Sequence, residues 1–316
     1  MTIDLTETDA SKIASTALRA HRQAGSPTMG MVLTLIVVTD ESNHYDALKS
    51  ADAVSREHPS RVIGVIQRAA RGASRVDAEV KIGAGNAGQS ILLRMSGEVA
   101  QHAESVVLPL LVPDSPVVVW WPAKAPDDPA ADPIGSLAQR RITDSANVPR
   151  SKATALQTQA ANYASGNTDL AWTRLTPWRA LLAAALDQFT GKVRSVQVEA
   201  ERVNPSADLL AAWLKSRLKV DANRTTSKGP GITAVRMGTV AGDIVIHRPD
   251  GRLAQFSIPG QPDRPVALKR RETAELLAEE LRRLDPDDIY AQTIATLRRM
   301  EARKADDKTG TGKSNS

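Results

Sequence analysis

Residues 31–38, MVLTLIVV, are apolar and largely β-branched without a break. A surface helix would show an apolar stripe, and a half-exposed strand would alternate. An unbroken run of this length indicates a strand covered on both faces. Arg61–Gln67, RVIGVIQ, and Pro116–Trp121, PVVVWW, read the same way. Residues 43–56 read as a helix closed by His58-Pro59, because the residue before a proline is pushed out of the α region. Residues 8–23 form another, with Thr8 or Asp9 as cap. Buried strands alternating with helices predict an α/β sheet. Residues 75–82 and 90–97 alternate apolar and polar, which predicts a half-exposed antiparallel hairpin, followed by a helix at about 98–109.

The loop PAKAPDDPAADP, residues 122–133, carries four prolines and little to bury. It marks a domain edge. Beyond it, residues 149–163 are weakly helical, and Pro177 opens a strong helix, PWRALLAAALDQ, with Thr176 as candidate cap. VRSVQVEA, residues 193–200, alternates as a strand. Asn204-Pro205 supplies a cap and a first-turn proline to the next helix. Strands at about 231–238, 242–248 and 252–258 and helices at about 268–283 and 286–304 complete the chain. The prediction is two α/β domains with mixed sheets, at 1–125 and 126–304, and a disordered polar tail at 305–316. Both halves read α-β-α-β-β-β-α, which raises an internal duplication, although no residue-level repeat accompanies it.

The chain has 316 residues, of which 41% are hydrophobic, enough for conventional cores. It has no cysteine, which excludes disulfides, thiolate metal sites and thiol chemistry within this chain. Its five histidines are scattered, so no local histidine pair forms a metal site. The longest apolar run is far shorter than the ~20 residues a membrane helix needs. The N-terminal residues lack a signal-peptide pattern. We therefore expect a soluble, cytoplasmic protein. The net charge of +5 is thinly spread over the last two thirds, and aromatics make up only 3% of the chain, which argues against nucleic-acid binding.

Four segments carry candidate chemistry. Gly83–Gly88, GAGNAG, matches the dinucleotide pattern G-x-G-x-x-G, but the residues after it alternate like a strand, so it reads as a hairpin loop. Glu57-His58-Pro59-Ser60 puts a base and a hydroxyl at the mouth of a buried strand. His58 is a ligand candidate, or else a partly exposed residue at a helix end. Trp120-Trp121 ends a strand, and adjacent strand residues point to opposite faces. Trp121 is thus a partner-contact candidate beside the plainer reading of packing on both faces. Asp169–Arg179, DLAWTRLTPWR, holds Trp172, Arg174, Trp178 and Arg179 within eleven residues. With Arg140 and Arg141 it makes either a recognition surface for an anion or acidic partner, or an internal ion-pair network. No Walker A loop, nucleophile elbow, H-E-x-x-H or kinase set occurs.

The strings SREHPSRVIGV, PLLVPDSPVVVWWP, DPIGSLAQRRITD, DLAWTRLTPWRALLAAALDQ and NPSADLLAAWLKSRL together resemble the OpcA family of glucose-6-phosphate dehydrogenase assembly proteins, in its actinobacterial form, over about residues 5–300. The resemblance implies a non-catalytic assembly factor and allosteric activator of glucose-6-phosphate dehydrogenase in the pentose phosphate pathway. It implies no cofactor and no metal. Partner contacts are then expected from Trp121, Arg140, Arg141, Trp172, Arg174, Trp178 and Arg179, and Trp172→Ala or Arg174→Ala should weaken association without unfolding. The alternative is a sugar-phosphate-binding module or cryptic enzyme using His58 and the arginines. Cyanobacterial relatives are linked to thiol redox control, which a chain without cysteine cannot carry.

Overall fold

The computed structural model describes residues 1–23, 31–68, 72–82, 89–189 and 191–311, with side chains to 306. In chain order the first elements are β1 (Thr2–Leu5), α1 (Ala10–Gln23), β2 (Leu33–Thr39), α2 (His44–Ser55), β3 (Ser60–Gln67), β4 (Arg75–Ile82), β5 (Gln89–Ser96), α3 (Ala103–Val107), β6 (Val117–Trp120) and β7 (Arg140–Thr143). Then come α4 (Lys152–Ala161), β8 (Asn167–Asp169), α5 (Leu170–Thr173), α6 (Thr176–Asp187), β9 (Val193–Ala200), α7 (Pro205–Leu218), β10 (Ala222–Thr226), β11 (Ile232–Thr239), β12 (Gly242–His247), β13 (Leu253–Ser257), β14 (Arg264–Ala267), α8 (Thr273–Leu281) and α9 (Asp288–Thr311).

The chain forms two compact units. Unit 1 comprises Met1–Asn147, Ala164–Asp169 and Glu272–Pro286, and unit 2 the remainder. The expected division at 125/126 misses that β7, β8 and α8 belong with the first sheet. Unit 1 holds an eight-stranded sheet ordered β1-β4-β5-β3-β2-β6-β7-β8. From β5 to β8 every pair is parallel, and β4 is antiparallel to both neighbours. Starting at β2, the chain builds outward through β3 and β5, then returns to the other side for β6, β7 and β8. This is the doubly wound order, with its switch point between β2 and β6. The unbroken run in β2 is buried from Leu33 to Val38, as expected of a central strand. One face packs Ile36, Ile63, Ile91 and Val119 against Ile13, Ala17 and Ala20 of α1 and Ala103 and Val107 of α3. On the other face α2 comes so close that a β-carbon on Gly64 would meet Leu48 and Leu92 at 2.9 Å. Asp9 caps α1 by accepting from Lys12 N at 2.9 Å. The predicted hairpin forms between β4 and β5, but β5 also pairs with β3 and is largely buried rather than half exposed.

Unit 2 holds a six-stranded sheet ordered β10-β9-β11-β12-β13-β14, with β9 and β10 parallel and the other pairs antiparallel. Val196, Val198 and Ala200 alternate with more exposed residues, and α7 covers their face. Asn204 caps α7 through Ala207 N at 3.0 Å, with Pro205 in the first turn. The two sheets differ in order and direction, so the shared element string does not reflect one repeated topology. In place of a disordered segment from 305, α9 runs on to Thr311.

Candidate functional site

The predicted site residues fall on both units. In unit 1, Arg140 is only 3% exposed. Its Nη2 donates to Glu280 Oε2 at 2.6 Å and its Nη1 to the Asp285 carbonyl at 2.9 Å. This buried pair ties β7 to α8, as in the reading of an internal ion-pair network. Arg141 points the other way and is half-buried. Its three nitrogens donate to Asn167 Oδ1, Ala138 O and Ser165 O, and desolvation lowers its pKa. Beside it lies a cavity of about 810 Å³ lined also by Asp114, Gln139, Ser165 and Asp285. The cavity sits at the amino ends of β6, β7 and β8, away from the carboxyl edge where doubly wound sheets take ligands. One arginine already giving three hydrogen bonds, in a cavity lined by two aspartates, is a poor cradle for a phosphate.

Trp120 and Trp121 are 1% and 2% exposed, so both rings pack, one on each face of the sheet. His58 Nε2 and Ser60 Oγ are buried, and neither has a hydrogen-bond partner among the described residues. They therefore do not form a base–nucleophile pair. Glu57 instead meets Arg282 at 3.4 Å on the surface.

In unit 2, Trp172 lies on α5, 1% exposed. Its Nε1 donates to Asp287 Oδ2 at 2.8 Å, and the Arg179 guanidinium stacks 3.8 Å from its ring centroid. Arg179 Nη2 donates to Thr176 Oγ1 at 3.0 Å, so Thr176 holds the arginine rather than capping α6. Arg174 is half-buried at the end of α5. Trp178 is buried under Arg248, a residue the sequence did not single out, whose guanidinium lies 4.9 Å from the ring. Arg248 donates to the carbonyls of Leu268 and Ile232, both at 2.9 Å. Burial, aided by Arg270, pushes its pKa down to about 10. The eleven-residue segment is thus mostly core: its rings support arginines and do not form a tryptophan surface.

A further cluster escaped the sequence reading. After β2 the turn Asp40-Glu41-Ser42-Asn43 leads into α2. Asp40 Oδ1 accepts from Ser42 N and Asn43 N at 2.9 Å and from Ser42 Oγ at 2.6 Å. The Ser42 hydroxyl, with Asn43, holds its pKa down. Glu41 meets Arg68 at 2.9 Å and Arg94 at 3.4 Å. Just beyond, Tyr45 is 72% exposed and is the one exposed aromatic among the described residues. Scarce aromatics are the signal that could have flagged it. The GAGNAG segment lies outside the described residues. The flanking strands β4 and β5 are antiparallel, so a strand follows it. Among the described residues no group of three or more carboxylates or histidines suits a metal ion. No described helix is long and apolar enough to cross a membrane.

Residues 51–160 match the model of the glucose-6-phosphate dehydrogenase subunit N-terminal domain, and residues 165–294 that of the C-terminal domain, both of the OpcA type. The chain belongs to the OpcA family. This OpcA-family chain is 29% identical over 141 residues to OpcA of Synechocystis sp., which is named for the OxPP cycle. That alignment covers 41% of the chain and 29% of the relative, so the chain spans well under half of that protein in the match. In shape it resembles a 3-ketoreductase, KijD10, of Actinomadura kijaniata, at 10% identity and a TM-score of 0.46, over 85% of this chain and 96% of that one. It also resembles a biliverdin reductase of Synechocystis sp. at 10% identity and 0.42, over 85% and 98%. Likeness at this level says nothing about ligands or chemistry.

Proposed function

We propose that this chain is a non-catalytic, cytoplasmic partner of glucose-6-phosphate dehydrogenase that favours its active oligomer at the entry to the pentose phosphate pathway. The observation that carries this reading is the match to both OpcA-type domains, extending through unit 1 and unit 2. To activate, the protein must bind the active state of the enzyme more tightly than the inactive one, because only differential affinity shifts an equilibrium. Its contacts are the half-buried arginines Arg141, Arg174 and Arg179. Trp172 lies beneath the surface and supports Arg179, while Trp121, Trp178 and Arg140 are buried and serve the fold.

Dehydrogenase activity and particle mass, measured with and without the chain, test the proposal. A higher rate and a larger active particle are expected, and equal values in both samples would overturn it. Arg174→Ala is expected to weaken association at least about fivefold while the chain stays folded, in line with loss of one arginine contact. Trp172→Ala does not test contact. Removing a buried ring costs about 3–5 kcal/mol of stability, so it would report on the fold.

A further inference from the structure

A dinucleotide on a doubly wound sheet lays its pyrophosphate on a glycine-rich turn at the start of the helix after the first strand. Three glycines allow the tight turn, the close approach of the phosphates and the packing of the helix. In this chain the corresponding turn joins β2 to α2, and no glycine occurs between Met31 and Ile63. The amides that would face a phosphate, Ser42 N and Asn43 N, already donate to the Asp40 carboxylate. The position after β3, from which an arginine can take a ribose 2′-phosphate, is held by Arg68. That guanidinium donates to Glu41, and Glu41 reaches Arg94 as well. Each group that would greet a phosphate therefore already holds an anion of the chain's own. An incoming phosphate would meet two carboxylates at short range, a like-charge encounter that disfavours binding.

We infer that Asp40 and Glu41 are built-in anions filling the phosphate positions of the switch-point crevice, so that unit 1 keeps a dinucleotide-binding architecture but takes no dinucleotide. The inference concerns unit 1 alone and does not depend on the role proposed with the dehydrogenase.

The test is NADP⁺ titration by calorimetry and NADPH titration by fluorescence on the full chain at low salt. The wild type should show no saturable binding up to about 1 mM, an affinity weaker than about −4 kcal/mol. Asp40→Asn with Glu41→Gln keeps shape and hydrogen-bonding capacity but removes both charges. It should raise NADP⁺ affinity at least about tenfold, and adding Arg68→Ala should reverse the gain. Circular dichroism and melting confirm folding; if the double variant is unfolded, Glu41→Gln alone serves. Saturable wild-type binding below about 1 mM would overturn the inference. So would a folded variant that binds NADP⁺ no better than the wild type.

Discussion

The two units solve burial in different ways. Unit 1 covers its sheet on both faces, and β2 is buried at every position from Leu33 to Val38. Unit 2 packs its sheet on one face, so β9 and β13 alternate: Val196, Val198, Ala254 and Phe256 are buried, while Ser195, Leu253 and Gln255 are exposed. The difference extends to charge. Among the described residues each unit buries one arginine to about the same degree. Arg140 in unit 1 faces the Glu280 carboxylate, whereas Arg248 in unit 2 faces two carbonyls and the Trp178 ring. For Arg248, no carboxylate lies within ion-pair distance among the described residues. A buried charge with a buried counter-charge is a coupled device; one with neutral acceptors is a set of separate bonds.

Breaking the coupled device should have the largest effect. Arg140→Met takes the guanidinium from the buried Glu280 carboxylate and the donor from the Asp285 carbonyl, and should cost about 3–5 kcal/mol. Arg140→Met with Glu280→Leu should recover part of that loss in denaturant unfolding, because the carboxylate is removed together with the guanidinium it faces. If the double variant is as weak as the single, the pair is not coupled as described. Arg248→Met removes donors from two carbonyls but strands no charge, and should cost less, about 1–3 kcal/mol. A loss equal to that of Arg140→Met would erase the contrast between the units.

These two arginines also show where sequence reading stops. The unbroken runs at 31–38, 61–67 and 116–121 announce a sheet covered on both faces, because burial there is carried by side chains that pattern alone reveals. β7 and β8 do not announce themselves. RRIT and NTD are short and polar, and they become strands because their polar groups find distant partners: Arg140 finds Glu280, and Asp169 accepts from Thr143 Oγ1 at 2.7 Å. The candidate site was legible to the same extent. The cluster of tryptophans and arginines was visible as composition, but spacing could not show that Trp172 and Trp178 face inward. The turn Asp40–Asn43 carries no such signal, since its meaning depends on strand order, which only the fold supplies.

The tightness of unit 1 can be probed without touching a charge. Gly64→Val should destabilise by about 1–3 kcal/mol, since its side chain would push against Leu48 of α2 and Leu92 of β5. Gly238 lies on β11, in the sheet of unit 2. A β-carbon there would meet Ser195 Oγ, the end of a side chain that is itself exposed. Gly238→Ala should therefore cost less than Gly64→Val in parallel melts. The reverse order would contradict the picture of a doubly covered sheet in unit 1 and a singly covered one in unit 2.

The smallest effect expected is a pH dependence at the switch-point turn. The Ser42 hydroxyl, with Asn43, holds the Asp40 carboxyl below its ordinary value near 3.8. A depressed acid contributes stability above its unfolded value, and that contribution is lost as the pH falls through the lower folded value. Wild type should therefore melt slightly higher than Asp40→Asn near neutral pH, with the gap closing only below about pH 3.8. Because the carboxylate is exposed, solvent screens the effect and the gap will be small. A gap that persisted unchanged into strong acid would show that the turn is held by shape and hydrogen bonding alone, and that the charge of Asp40 adds nothing to it.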